Sequence, residues 1–261
     1  MSAAHPVGVG GATPRGPRQW ARLAAVAVQF LTRLPVRVRF EPGDLRRAAG
    51  AFPAVGALVA SIGIAVRWSL TPWFGRPLAT IVALAAMVLS TGAFHEDGFA
   101  DTADGLWGGR SPEERLGIMR DSRLGTYGTL ALVFLLAVKI AALTPMTLGA
   151  FAATLVPAMV LGRASSLLLM RAIAPAPDSL ATLAGAPSAW GWVVAGLTCA
   201  GSLAGFGVWA WVPVLASLAV ALGAATIVRA KVGGINGDQL GATNQLVEIA
   251  VLLCGVVVFA R

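Results

Sequence analysis

PLATIVALAAMVLSTGAFHEDGFADTADGLWGG, residues 77–109, runs without a break from an apolar segment into a cluster of carboxylates. As a helix its first part, 77–94, is long enough to cross most of a hydrocarbon core ~30 Å thick. Apolar stretches of similar length recur at about 48–66, 126–144, 150–172, 189–208, 211–228 and 244–260. The expected fold is therefore an all-α polytopic integral membrane protein with about seven transmembrane helices. Composition agrees: of 261 residues 57% are hydrophobic and 12% charged, against roughly 45–50% and about 25% in soluble domains. The mean hydropathy of +0.76 excludes a conventional soluble protein. A net charge of +8 would suggest a nucleic-acid partner in a soluble chain, but here the basic residues lie in loops and at span ends, so no nucleic-acid binding is expected.

Eight arginines lie between positions 15 and 47. The positive-inside rule places that region in the cytoplasm, and alternation then puts the loops 95–125 and 229–243 there too. Arg67 and Arg76 fall on the outer side as exceptions. Residues 1–19 read as a basic disordered tail, and 20–261 as a single membrane-embedded catalytic domain. Within it, Trp20 to Val36 has an apolar core too short to span and no persuasive signal-peptidase site. It reads as an interfacial or re-entrant helix, with Arg22, Gln29 and Arg33 toward the headgroups.

The two cysteines and two histidines exclude disulfide, thiolate and multi-histidine metal chemistry. Carboxylates and arginines remain. Seven of the twelve acidic residues fall between Glu96 and Asp121. Asp97, Asp101 and Asp104 have i, i+4, i+7 spacing, which on a helix stacks three carboxylates on one face. Carboxylates held so close repel one another and gain from a bound cation. Hard oxygen donors without His or Cys favour Mg²⁺, Mn²⁺ or Ca²⁺ over zinc, and Mg²⁺ commonly takes one or two carboxylates plus substrate phosphate. The alternative is a solvated acidic loop balanced by Arg110, Arg115, Arg120 and Arg123. Arg120 and Arg123, three residues apart, are forks suited to phosphate, and the two sets together are the parts of cation-assisted phosphoryl transfer.

A second polar island, KVGGINGDQLGATNQLVE at 231–248, lies on the same expected side. It carries Asp238, Asn244 and Gln245; a flexible loop with an Asn cap is the plainer reading. Glu248 and Arg163, both inside apolar spans, are functional candidates by default. Lys139 reads as structural, near enough to a span end to snorkel.

At these residues the chain resembles the cobalamin synthase (adenosylcobinamide-GDP ribazoletransferase) family. The resemblance rests on FLTRLPV at 30–36, GAFHEDGFADTADGLWGG at 92–109, IMRDSRLGTYG at 118–128 and KVGGINGDQLGATNQLVE at 231–248. Phe99 stands where the family usually has Leu. The resemblance implies a multi-pass enzyme of the bacterial inner membrane, its active site facing the cytoplasm. Such an enzyme joins adenosylcobinamide-GDP to α-ribazole or its 5'-phosphate, releases GMP and requires Mg²⁺. By position it implies Glu96, Asp97, Asp101, Asp104 and Asp238 as the metal and diphosphate site. Asp101, Asp104 and Asp121 are the candidate catalytic carboxylates, with the general base open between Asp101 and Asp121. Arg120, Arg123, Arg163 and Asn244 are the candidate substrate contacts. The oligomeric state stays open.

A partial echo of the CDP-alcohol phosphotransferases gives an alternative activity on a lipid headgroup. Asp101, Asp104, Gly105, Gly117 and Asp121 fall at compatible positions, but Gly108 and Gly109 replace Ala-Arg and Gly125 replaces the last Asp. Transport is disfavoured, because the acids gather at one aqueous edge rather than at the midplane.

Overall fold

A computed structural model describes residues 16–176, 179 and 185–259. The expected tail at 1–15 lies outside the described residues, and helix begins at Pro17, inside the stretch read as tail. Among the described residues there are only helices, turns and one isolated bridge, Pro175 to Ile235. The helices are α1 (Pro17–Leu31), α2 (Asp44–Ala48), α3 (Phe52–Thr91), α4 (Phe94–Gly108), α5 (Pro112–Met119), α6 (Thr126–Leu143), α7 (Leu148–Ala172), α8 (Ala189–Ser202), α9 (Trp211–Lys231) and α10 (Gly237–Phe259). Six helical stretches among the described residues are long and apolar enough to cross a membrane.

The first of these is two passes in one. A straight α3 of 40 residues would reach about 60 Å, twice the hydrocarbon thickness. Instead Pro72 and Pro77 flank Gly75, whose φ of 70° and ψ of 170° break the helix. The two arms fold back, so that a Cβ on Gly63 would strike the sulfur of Met87. Seven apolar passes result, matching the number expected. Arg67 and Arg76 sit at the far end of this hairpin. Arg67 Nη2 donates to the carbonyls of Thr144 and Met146, and Arg76 Nη1 donates to that of Pro145. Both therefore tie the hairpin bend to the α6–α7 turn, which gives these two arginines partners at that end of the bundle.

At the opposite end, α1 buries Leu23, Val26, Ala27 and Leu31 against the bundle. Its 15 residues span only about 22 Å, so it packs across the bundle end rather than forming an eighth pass. Arg22 is not directed to headgroups as expected: it grips the buried Asp44 carboxylate at 3.0 and 2.7 Å, with Arg47 on the same group. The Arg33 backbone N–H donates to Ser90 at 2.7 Å, which brings α1 to the end of α3 where the acidic segment starts. The central core forms where α3, α7 and α10 meet, around Val59, Phe151, Leu155, Val247 and Val251.

Candidate active site

The segment 95–125, read as a loop, is two short helices, α4 and α5. Helix α4 starts immediately after Gly92 and Ala93, both in the left-handed region, which turn the chain off the end of α3. Residues 229–243 are mostly helical too, with only the turn between α9 and α10 irregular. Asn236 closes that turn reciprocally: its backbone N–H donates to Gln239 Oε1 and its Oδ1 accepts from the Gln239 N–H, at 2.9 and 3.0 Å. The cap is therefore Asn236 and not Asn244, which lies two turns inside α10.

The two polar segments meet through glycine. A Cβ added to Gly98 of α4 would stand 2.8 Å from the Asp238 Cα and 2.9 Å from its carbonyl oxygen. Gly241, one turn on, is close to the backbone of His95, where a Cβ would stand 3.3 Å from its Cα and carbonyl oxygen. Any larger residue would push α4 off α10. This close crossing sets Asp238 beside the face of α4 that carries Asp97 and Asp101. Asp97 is exposed, Asp101 half-buried and Asp104 buried, so the stacked face enters the protein progressively.

The three aspartates are not equivalent. Asp104 receives the N–H of Gly125 at 2.7 Å and that of Gly128 at 2.9 Å, one on each carboxylate oxygen. It thereby satisfies two open donors at the start of α6. Side chains at 125 and 128 would collide with this carboxylate, which is why the segment reads GTYG. Asp101 has no such partner. Burial, and then the charges of Asp97, Asp238 and Asp104, push its carboxyl up to about 7.

Asp121 and Arg123 bind each other. Arg123 Nε donates to both Asp121 oxygens, at 3.0 and 3.1 Å. Hydrogen bonds from the Arg123 side chain and backbone bring the Asp121 carboxyl down to about 2. Arg120 and Arg123 are both exposed on the side of the α5–α6 turn.

Glu96 points into the bundle, away from Asp97. Its Oε1 accepts from Gln245 Nε2 at 3.2 Å, and its Oε2 is buried without a partner. Beneath it Lys139 Nζ donates to Gln245 and, at 2.6 Å, to Glu248 Oε2, while Arg163 Nη1 reaches Glu248 Oε1 at 3.2 Å and the Met159 carbonyl at 3.0 Å. The suspicious intramembrane charges thus neutralise one another, and Lys139 is buried in the network instead of snorkelling. Asn244 is fully buried where α10 meets α7, its amide facing Gly162, with both polar atoms unpartnered. His95 is buried as well; desolvation, with Arg163 and Lys139 nearby, holds its imidazole well below the usual range and therefore neutral.

Among the described residues no three His, Cys, Asp or Glu side chains form a ready-made metal cage. The donor set nevertheless fits a hard divalent ion. Asp97, Asp101 and Asp238 are oxygen donors that take part in none of the ion pairs among the described residues, and Mg²⁺ needs only one or two of them when phosphate supplies the rest. Beside them, a cavity of about 140 Å³ opens between α1, α4, α7 and the start of α10, lined by Asp97, Asp238 and Arg163 among others.

Over residues 23–257 the sequence matches the family described as cobalamin-5-phosphate synthase. The chain belongs to the cobalamin-5-phosphate synthase family. Among its relatives, the adenosylcobinamide-GDP ribazoletransferase of Leptothrix cholodnii is 40% identical over 252 residues, covering 89% of this chain and 94% of the relative. That of Azorhizobium caulinodans is also 40% identical, over 257 residues, 90% of this chain and 95% of the relative. No solved structure matches. The cobalamin-5-phosphate synthase match takes in α1 from Leu23, the acidic helix and both polar segments, so the family's common region contains the whole site described above. Gln245 and His95 are the members of this site to which the sequence gave no role.

Proposed function

We propose that the chain is an adenosylcobinamide-GDP ribazoletransferase, acting at the surface where α4 crosses α10. The observation that carries this reading is the Gly98–Asp238 contact, which gathers carboxylates of two helices at one edge of the bundle. Family membership and the relatives' names supply the substrates. Mg²⁺, held by Asp97, Asp101 and Asp238, supplies neutralisation of phosphate charge when bound.

In the reaction the 3'-hydroxyl oxygen of α-ribazole, or of its 5'-phosphate, bonds to the phosphorus nearer cobinamide. The bond from that phosphorus to the bridging oxygen breaks, and GMP leaves with the electron pair. Asp101 is the residue assigned to receive the hydroxyl proton. Asp121, the other candidate, is forked to Arg123 and so acid that it would hold a proton poorly. Asp104 positions: by capping α6 it fixes the α5–α6 turn, where Arg120 and Arg123 are placed to meet the diphosphate. Glu96 keeps α4 in register through Gln245, and Arg163 faces the cavity as the cation nearest the substrate's buried end. Asn244 stands behind Gly162 and Arg163 as a support for that cation's helix.

The same reading places the protein in the bacterial inner membrane with the site toward the cytoplasm. The arginines of α1 and α2 lie on the face of the bundle that carries α4, and positive charge is retained on the cytoplasmic side. The test is GMP release by purified protein given adenosylcobinamide-GDP, α-ribazole and Mg²⁺. GMP formed in step with the corrinoid product is the expected result. Release of CMP from CDP-alcohols, with no GMP from the first mixture, would replace this reading by the phosphotransferase alternative.

A further inference from the structure

The cavity beside the acids has two unlike halves. One wall is aromatic: Phe30 of α1 stacks on Phe52 at a centroid distance of 5.8 Å, and Phe94 of α4 meets Phe30 edge-on at 5.8 Å. The lining also carries His95, Asp97 and Asp238, with Arg163 and Ser166 from α7. None of the three rings belongs to the carboxylate site, yet each lines the same cavity from a different element. Resting on the ribazoletransferase reading, we infer that this cavity is the seat of the acceptor's base: the planar, apolar benzimidazole of α-ribazole enters the aromatic half, leaving its ribose among the carboxylates.

Size excludes the corrin. At about 140 Å³, and roughly 10–15 Å³ for each water-sized occupant, the cavity holds on the order of ten non-hydrogen atoms. A bicyclic base with two methyl groups is of that size, whereas a corrin ring is several times larger. Guanine has a comparable number of atoms but an edge of donors and acceptors. Placed against Phe30, Phe52 and Phe94, those groups would lose water without gaining partners, so guanine fits only with that edge turned to His95, Asp97, Ser166 or Asp238. A dimethylated benzimidazole loses little there and gains edge-to-face and stacked contacts. The orientation follows from the asymmetry of the walls. With the base against the rings, the sugar is left at the Asp97–Asp238 side, which is where its 3'-hydroxyl is required to react.

The experiment uses the full chain in detergent or lipid discs, following GMP release with each substrate varied in turn. Phe94→Leu, which keeps an apolar side chain, should raise KM for α-ribazole roughly tenfold, the value of about 1.4 kcal/mol for a lost aromatic contact. KM for adenosylcobinamide-GDP should stay within about twofold by the same argument. On the unmodified protein, free 5,6-dimethylbenzimidazole should inhibit competitively against α-ribazole and not against adenosylcobinamide-GDP. Competition against adenosylcobinamide-GDP, or a KM change confined to that substrate, would overturn the assignment. Normal GMP release with an unmoved ribazole KM would overturn it alone, while no GMP release by the unmodified protein would overturn the activity itself.

Discussion

Gly98 lies against Asp238 with no room for a methyl group between them: a Cβ at 98 would stand 2.8 Å from the Asp238 Cα. This is the contact that turns two separate polar segments into one site. Gly98→Ala should therefore separate α4 from α10, lowering stability by about 1–3 kcal/mol through overpacking. GMP release should fall with it, and thermal unfolding in detergent measures the first effect independently of the second.

Asp101 and Asp104 should part company on mutation. Asp104→Ala removes the acceptor for Gly125 and Gly128 and should destabilise the metal-free protein by about 0.5–2 kcal/mol, as loss of a helix cap does. Asp101→Asn removes a half-buried charge crowded by other carboxylates, and should leave the metal-free protein as stable or more stable while abolishing turnover. Melting curves without added cation separate the two.

The pH dependence has a definite sign. The Asp101 carboxyl is raised from its ordinary 3.8 to about 7 in the folded protein, so between those values the folded state binds more protons than the unfolded one. Its contribution to stability is full below the lower value and is lost as pH rises toward the upper one. Metal-free protein should accordingly lose stability between about pH 4 and pH 7, and Asp101→Asn should reduce that slope in melts over this range, leaving the part due to Asp238, whose carboxyl is raised by burial and Asp97 to about 6.

Glu248 joins Lys139 and Arg163 deep in the bundle, both of its oxygens engaged. Glu248→Ala leaves two buried cations, at a cost of about 3–5 kcal/mol. Adding Lys139→Met should restore part of this loss, giving a double variant less destabilised than the sum of the single ones. Additive melting temperatures would show that the pair is not coupled.

The sequence shows much of this site and hides a particular part of it. Seven apolar passes and the stacked aspartates follow from length and periodicity, because a helix crossing lipid and a helix with one acidic face both repeat in known ways. The fold-back of α3 was legible as two spans, though not the helical continuity up to the Gly75 break. Partnership was the hidden part. Asp104 and Asp101 look alike in the i, i+4, i+7 pattern, and only the approach of Gly125 and Gly128 makes one a cap. Glu248 and Arg163 each invite a functional reading singly and Lys139 a snorkelling one, since nothing local reveals that residues 85 and 109 positions apart meet. Nor does the sequence show what the glycines at 98 and 241 are for; the structure spends them on the helix crossing that sets Asp238 beside α4.

The central claim, that carboxylates of α4 and α10 act as one site, is tested most directly by the rate of GMP release from Asp238→Asn beside Asp101→Asn, at saturating adenosylcobinamide-GDP, α-ribazole and Mg²⁺. Both variants should fold and insert normally and lose roughly a hundredfold or more in rate. A rate near that of the unmodified protein for Asp238→Asn, with Asp101→Asn inactive, would contradict it and confine the chemistry to α4.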